Sequence, residues 1–323
     1  MFEKTFFCDD DGVRLDHFLT DKFQVSRSQI TEFIKKGLVS VGREVVMKAG
    51  MKLKKGETVY VNEIKKDDEK SDESVDFDVP VIFEDEDILI INKPPFLTVH
   101  PAPSVKEPTL VDWLRAKNIS RSTISGEERE GIVHRIDKQT SGALAIAKNN
   151  ISHASLAKQL ENRTLGRYYL ALIDYPLKNN TSVDKPIARN PKNRLKMAIS
   201  ESGRDAKSAF CKLLTCEEEG VELICAKLYS GRTHQIRVHL NAIGRHILGD
   251  NLYGFKSQKA KINRVMLHAY YLYLTHPRSG KNMGFIAPLY DDFEKQLQKF
   301  FTKEKINETI DIDNLIRRFD FFN

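Results

Sequence analysis

The run Gly131-Ile132-Val133-His134-Arg135-Ile136-Asp137-Lys138-Gln139-Thr140-Ser141-Gly142 sets an imidazole, a guanidinium and a carboxylate within four residues, His134 to Asp137. A carboxylate in that setting needs a partner or a use, because burying it unpaired is costly. Taken locally, Asp137 is a structural residue that pairs with Arg135 or caps the turn. Thr140-Ser141-Gly142 reads as that turn, with Gly142 supplying positive φ. Other chemistries find little support. His234 and His239 are five apart, which is not the spacing of two metal ligands on one helix face, and no His-Glu-x-x-His occurs. Cys8, Cys211, Cys216 and Cys225 form no Cys-x-x-Cys pair and read as buried thiols. The chain has neither a P-loop nor a Gly-x-Gly-x-x-Gly, so a nucleotide-dependent reaction is disfavoured. No metal and no cofactor are expected.

The elements around Asp137 can be placed from periodicity. Ala143–Ala147 is a short apolar run, consistent with a buried strand that holds the Asp137 loop against the core. Val81–Ile91 reads as two strands around the acidic turn Glu84-Asp85-Glu86-Asp87, the second ended by Asn92-Lys93-Pro94-Pro95. Lys93 by itself reads as a surface charge. Thr109–Leu114 is a short helix after Pro108, and Arg115–Glu130 a polar loop. Ser152–Leu160 is an amphipathic helix. Tyr168–Ile173 is a strand with Tyr168 and Tyr169 on opposite faces. Ser208–Thr215 and Val221–Tyr229 pair through a Glu-Glu-Glu-Gly turn. Thr233 is placed as the N-cap of a helix carrying Ile236, Leu240 and Ile243 on one stripe, ended by Gly244, with Arg237 off the stripe. Lys256–Arg264 reads as a basic loop and Asp291–Lys303 as one helix.

The N-terminal part is a module of its own. Leu15, Phe18 and Leu19 have helical spacing, Ser26 N-caps a second helix with Gln29 completing a capping box, and Gly37 ends it. Leu38–Val41 and Gly56–Val61 are strands. Residues 63–79 hold eight acidic residues against three lysines and read as a flexible linker. The expected organisation is therefore residues 1–62, the linker 63–79, a larger domain 80–303, and a tail 304–323 whose Ile, Leu and Phe residues dock at an unspecified place.

The 323 residues suit about two domains. No apolar run reaches the ~18 residues of a spanning helix, and the N-terminus lacks a signal-peptide core, so a cytoplasmic protein without a membrane is expected. Net charge is +6, with the acid concentrated in residues 63–79, so the rest is more basic than the total. Lys185–Lys212 is the most basic block, with Arg189, Arg194 and Lys196 among its cations. Such a ridge suits a polyanion.

His-Arg-Ile-Asp-x-x-Thr-Ser-Gly resembles the signature of the RluA-type pseudouridine synthases. Asn92-Lys93-Pro94-Pro95 through Val99-His100-Pro101, Arg167-Tyr168-Tyr169-Leu170-Ala171, and Gly231-Arg232-Thr233-His234-Gln235-Ile236-Arg237-Val238-His239 with Gly249-Asp250-x-x-Tyr253-Gly254 resemble the family's other motifs, in order, across most of residues 80–290. Ile136 stands where the family has Leu. Arg-Leu-Asp at 14–16, Ser26-Arg27-Ser28 and Lys35-Lys36-Gly37-x-Val39-x-Val41 resemble the ribosomal protein S-four-like RNA-binding domain, with Gly42 where that family has Asn.

The resemblance implies an α+β catalytic domain with a mixed, mostly antiparallel sheet crossed by a cleft, and a small N-terminal α/β RNA-binding domain. It implies isomerisation of uridine to pseudouridine in RNA without a cofactor: the N1–C1′ bond breaks, the base turns, and C5 joins C1′. It assigns the catalytic carboxylate to Asp137, its cationic partner to Arg237 and the base-stacking ring to Tyr169. Lys93 belongs to the cleft wall. Arg135 fills the space left by the flipped base. Arg27, Ser28, Gln29, Lys35 and Lys36 fall on the RNA-facing helix, and Arg189, Arg194 and Lys196 join them as RNA contacts. Within the family, Gly-Ile-Val-His-Arg, Val-His-Pro and the Pro186–Pro191 run are most similar to members modifying a large-subunit ribosomal RNA stem-loop. The expected partner is ribosomal RNA or the assembling large subunit, engaged by a monomer, with tRNA as the alternative. A non-catalytic RNA-binding or ribosome-assembly protein is disfavoured because Asp137, Tyr169 and Arg237 are all present. A glycosidic-bond hydrolase is disfavoured because it needs two carboxylates and these motifs pair no second acid with Asp137.

Overall fold

A computed structural model describes residues 3–23, 27–62, 75–101, 105–124, 130–254, 262–319 and 322. Two compact units result, residues 1–74 with 123–130, and residues 75–122 with 131–323.

In the first unit, β1 (Glu3–Phe7), α1 (Leu15–Phe23), α2 (Arg27–Lys35), β2 (Val39–Val41), β3 (Glu44–Val45) and β4 (Thr58–Asn62) follow one another. The strands form an antiparallel sheet in the order β1-β4-β2-β3. Leu15, Leu19, Ile30 and Ile34 recur at helical spacing and bury against Val39, Val59 and Val61. Gly37 takes φ 71 and ends the second helix as expected. Strand β1 carried too weak an alternation to be read. Ser26, expected as an N-cap, lies outside the described residues.

The second unit begins earlier than the linker expectation allowed. Residues 63–74 lie outside the described residues, but 75–79 pack. Val79 is buried, Val75 and Phe77 lie against the same cluster, and Trp113 Nε1 donates to Asp78 Oδ1 at 3.1 Å. Apolar residues at every second position give this acidic stretch a face to bury, which composition alone concealed.

Next come β5 (Val81–Glu84), β6 (Ile88–Lys93), α3 (Leu110–Ala116), β7 (Ser141–Ala147), α4 (Asn150–Glu161) and β8 (Gly166–Asp174). They are followed by β9 (Thr181–Asp184), β10 (Ile187–Arg189), β11 (Met197–Ile199), β12 (Lys207–Cys216), β13 (Val221–Leu228) and α5 (Gln235–Ala242). The unit ends with β14 (His246–Ile247), β15 (Leu267–Thr275), β16 (Asn282–Ile286), α6 (Asp291–Leu297), α7 (Lys303–Thr309) and α8 (Ile312–Arg317). Ten strands make one sheet, ordered β5-β6-β7-β15-β8-β13-β12-β9, with β14 on β8 and β16 on β15. The β7–β15 pair is parallel and the other pairs are antiparallel, so the sheet is mixed and mostly antiparallel. Strands β6, β7 and β8 are buried along their whole lengths, because both faces of the sheet are covered.

Strand β15 is the keystone. It comes late in the chain yet lies between β7 and β8, joining a half-sheet of β5–β7 to a half-sheet built on β8 and β13. Gly142 makes the join. It lies inside β7 rather than in the expected turn, at φ 117, and a Cβ there would come 2.3 Å from the Ala269 carbonyl oxygen.

The C-terminal region also departs from expectation. The single helix expected over 291–303 is two, α6 and α7, parted at 298–302. Ile306, Ile310, Leu315 and Phe319 of the tail enter the main core, with the Phe319 ring 5.1 Å from Tyr168. The tail therefore covers the Tyr168 face of β8 and leaves the opposite, Tyr169 face to the motif loops. Arg264, read as part of a basic loop, is 1% exposed and pairs with Asp292 at 2.8 Å; the loop's residues 255–261 lie outside the described residues.

Candidate active site

The register across the sheet sets two of the sequence-predicted residues, Lys93 and Tyr169, in one row. Lys93 pairs with Gly142, Gly142 with Ala269, Ala269 with Tyr169, and Tyr169 with Ala226. Paired positions share a face. Two small residues therefore form a trough between the Lys93 and Tyr169 side chains. The loop before β7 hangs Asp137 over this row. Its base is fixed by His134, which is buried and whose Nε2 accepts the Ala145 N–H at 3.0 Å. Burial, with help from the Arg167 charge, holds the His134 pKa well below its ordinary value, so this ring is neutral and structural.

Asp137 and Arg237, 100 residues apart in the chain, meet at 3.2 Å from Oδ2 to Nη1. The Asp137 side chain is 17% exposed, open enough to meet a ligand. Asp250 grips Arg237 from the other side, accepting from Nε at 2.7 Å and from Nη2 at 2.8 Å. That bidentate clamp fixes the guanidinium plane and leaves Nη1 aimed at Asp137. Burial opposes the Arg237 charge, but Asp250 and then Asp137 more than offset it and raise the Arg237 pKa. Burial likewise opposes ionisation of Asp250, and its bonds from Arg237 and from the Tyr253 and Leu252 N–H groups win, holding its pKa below the usual carboxylate range. Arg237 thus balances two carboxylates, one spent on structure and one facing outward.

Tyr169 is 3% exposed, and its hydroxyl pKa is raised by burial, lowered by Arg167 and raised again by Asp137. Arg135, beside Asp137 in sequence, is exposed. Arg189, Arg194 and Lys196 lie on the β10–β11 hairpin. Arg189 donates to the Arg194 carbonyl at 2.9 Å, and Lys196 stands 5.7 Å over the Tyr253 ring. In the first unit Lys35 and Lys36 are exposed, Arg27 is half-exposed and ion-paired with the buried Asp16 at 2.7 Å, and Ser28 and Gln29 sit in α2 with side chains outside the description.

Three residues were given no role, or the wrong one, from the sequence. Asp250 is the first; a buried arginine demands a carboxylate, and Asp250 stood in the same motif run. The second is His234. It, rather than Thr233, precedes α5, at φ 58, and its Nε2 lies 3.9 Å from Asp137 Oδ2. Tyr253 is the third, its hydroxyl 2.9 Å from His234 Nδ1. Lys93, a surface charge by itself but placed in the cleft wall by resemblance, is wholly buried. Its Nζ donates to the carbonyls of Pro94 at 2.7 Å, Leu97 at 2.9 Å and Lys138 at 3.3 Å, tying the end of β6 to the Asp137 loop.

Burial pushes the Lys93 pKa down to about 7, with Asp137 opposing and Arg264 assisting. In the unfolded chain the value is about 10.4. Between those limits the unfolded state binds more protons, so this group makes stability rise as pH rises above 7 and contributes its full penalty below. Comparing wild type with Lys93→Met by urea unfolding at several pH values above 7 should show a difference growing by on the order of 1 kcal/mol per pH unit. A flat difference would place the titration elsewhere.

Asp85, Asp87 and His276 bring ligand-type atoms within 4.8 Å of one another, at the end of β6 remote from Lys93. They do not suit a metal. The Arg278 guanidinium takes Asp87 at 2.6 Å and 3.1 Å, Asn149 and Ser152 donate to the same carboxylate, and His276 bonds Asp85 at 2.8 Å.

Comparison with known proteins shows the family of the chain. The family described as RNA pseudouridylate synthase matches residues 87–242, and the S4 domain matches residues 13–59. The chain is 46% identical to an uncharacterized RNA pseudouridine synthase of Helicobacter pylori, over 98% of this chain and 99% of the relative. It is 36% identical to the ribosomal large subunit pseudouridine synthase D of Zymomonas mobilis, over 88% and 92%. The solved human RNA pseudouridylate synthase domain containing 1 shares the fold, with a TM-score of 0.53 at 23% identity over 69% of this chain and 94% of that one.

Proposed function

Because this chain belongs to the RNA pseudouridylate synthase family, we propose that Asp137 is its catalytic carboxylate and large-subunit ribosomal RNA its substrate. The observation that carries the site assignment is the Asp137–Arg237–Asp250 arrangement. One carboxylate is consumed in fixing the guanidinium, and the other stands partly exposed beside the trough. Asp137 opens the reaction at the sugar, by attack on C1′ or by removal of the 2′ proton; both draw on the same anion. Arg237 compensates its charge where water is scarce. Tyr169 stacks on the flipped uracil, which offsets by roughly 1–3 kcal/mol the cost of leaving the helix. Exposed Arg135 enters the vacated stack, its planar guanidinium suiting that space. The N-terminal unit and the β10–β11 cations hold RNA phosphates and set which stem presents its uridine.

The ribosomal reading draws support from the name carried by the Zymomonas mobilis relative. Its test is pseudouridine mapping of total RNA from cells with and without the gene. Sites in large-subunit RNA should vanish on deletion, return with the wild type, and stay absent with Asp137→Ala. Loss of sites in tRNA alone would overturn the substrate, and restoration by Asp137→Ala would overturn the carboxylate.

A further inference from the structure

The β10–β11 hairpin forms a two-stranded sheet apart from the ten-stranded one. Its tip exposes Lys192, Arg194 and Leu195, the last 74% exposed. Asn190 Oδ1 accepts the Lys192 N–H at 2.9 Å and Asn193 Oδ1 the Leu195 N–H at 3.0 Å, which stiffens the turn. Hollows of about 370 Å³ and 210 Å³ flank the hairpin on the Arg232 and Tyr253 sides.

At the root of the hairpin the Met197 N–H donates to the Tyr253 hydroxyl at 2.7 Å. The hydroxyl proton then has two acceptors within reach, His234 Nδ1 at 2.9 Å and the Met197 carbonyl at 3.3 Å. Donation to Nδ1 puts the imidazole proton on Nε2, the nitrogen facing Asp137 at 3.9 Å. Burial lowers the His234 pKa against the pull of Asp137, in keeping with a neutral ring. His234 holds a left-handed φ of 58 and makes no side-chain cap to α5. Such a conformation persists where surroundings over-determine it. Here the ring bonds Tyr253 on one side and faces Asp137 on the other. Arg237 lies over the Tyr253 ring at 5.0 Å, and Lys196 of the hairpin at 5.7 Å.

We infer that Met197, Tyr253 and His234 form a positioning chain from the RNA-facing hairpin to Asp137, so that seating the hairpin on phosphates sets the carboxylate for reaction. This rests on the reading of Asp137 as the reacting group. A small inward shift of the hairpin root brings His234 Nε2–H into hydrogen-bonding range of Asp137, and the bond orients the carboxylate toward the sugar. Tyr253 and His234 are positioning residues in this scheme, acting through Asp137.

The test measures single-turnover rate at saturating RNA and, separately, the Kd, using the full chain and an RNA carrying a mapped site. Tyr253→Phe keeps the ring against Arg237 and Lys196 and removes only the hydroxyl. It should slow the saturating rate about 10- to 100-fold, the scale of a misplaced reacting group, with Kd unchanged. His234→Asn tolerates the left-handed backbone and keeps a donor, so it should outperform His234→Ala. The Tyr253→Phe, His234→Ala double variant should be no slower than the slower single one, as for links of one chain. A wild-type rate in Tyr253→Phe, an effect confined to Kd, or rate losses that multiply in the double variant would overturn the chain. Turnover by Asp137→Ala would instead sink the underlying reading, so the two failures are distinct.

Discussion

Asp137→Asn should lower the single-turnover rate by about 10⁴-fold or more, the scale on which removal of a reacting side chain acts. The substitution changes almost nothing else. Asn is isosteric, and Arg237 keeps both bonds to Asp250, so no buried cation is stranded. RNA binding should survive and even tighten slightly, since one negative charge facing the phosphates is gone. Rate measured by pseudouridine formation and affinity measured by filter binding separate the two effects. Substantial residual turnover with an intact fold would show that the reaction draws its anion from elsewhere.

Gly142→Ala should be the most damaging small substitution in the sheet. The added Cβ would meet the Ala269 oxygen at 2.3 Å and nitrogen at 2.6 Å, backbone atoms that cannot swing aside, at a φ of +117. Steric overlap and the backbone penalty together should cost about 3 kcal/mol or more. Gly280→Ala serves as control. It has φ +68 but open space around its Cβ position, so it should lose only about 1 kcal/mol. Urea unfolding of the two variants reads the difference, and equal losses would mean that the β7–β15 approach is looser than described. Because Gly142 sits between Lys93 and Tyr169 in the row, activity should fall in Gly142→Ala even where the variant remains folded.

Much of this was legible from residue types in order. The apolar runs of β5 and β6, the alternation expected of β13, the helical spacing of α1, α2 and α4, and the meeting of Asp137 with Arg237 all follow from patterns within a dozen residues or from motif resemblance. What escaped shares one physical cause, dependence on residues distant in the chain. Lys93 reads as a surface lysine from its neighbours, and resemblance alone put it in the cleft wall, because β7 and the Asp137 loop that cover it lie far along the chain. Gly142 looks like a turn residue until β15 arrives beside it. His234 displaces Thr233 as the residue before α5 because its ring has Tyr253 and Asp137 to meet. The tail's apolar residues were visible, but their partner, the Tyr168 face of β8, was not.

The position of β15 has a consequence for when the enzyme can exist. Ribosomes deliver a chain N-terminus first at about 5–20 residues per second. The Asp137 loop and Tyr169 therefore emerge several seconds or more before Ala269, the residue that sets them side by side. Until then the growing polypeptide carries two half-sheets with open edges, each holding part of a cleft that neither can complete. Emergence of β15, rather than synthesis of the Asp137 motif, completes the cleft, and until then the half-finished edges are the chain's greatest exposure to wrong pairing.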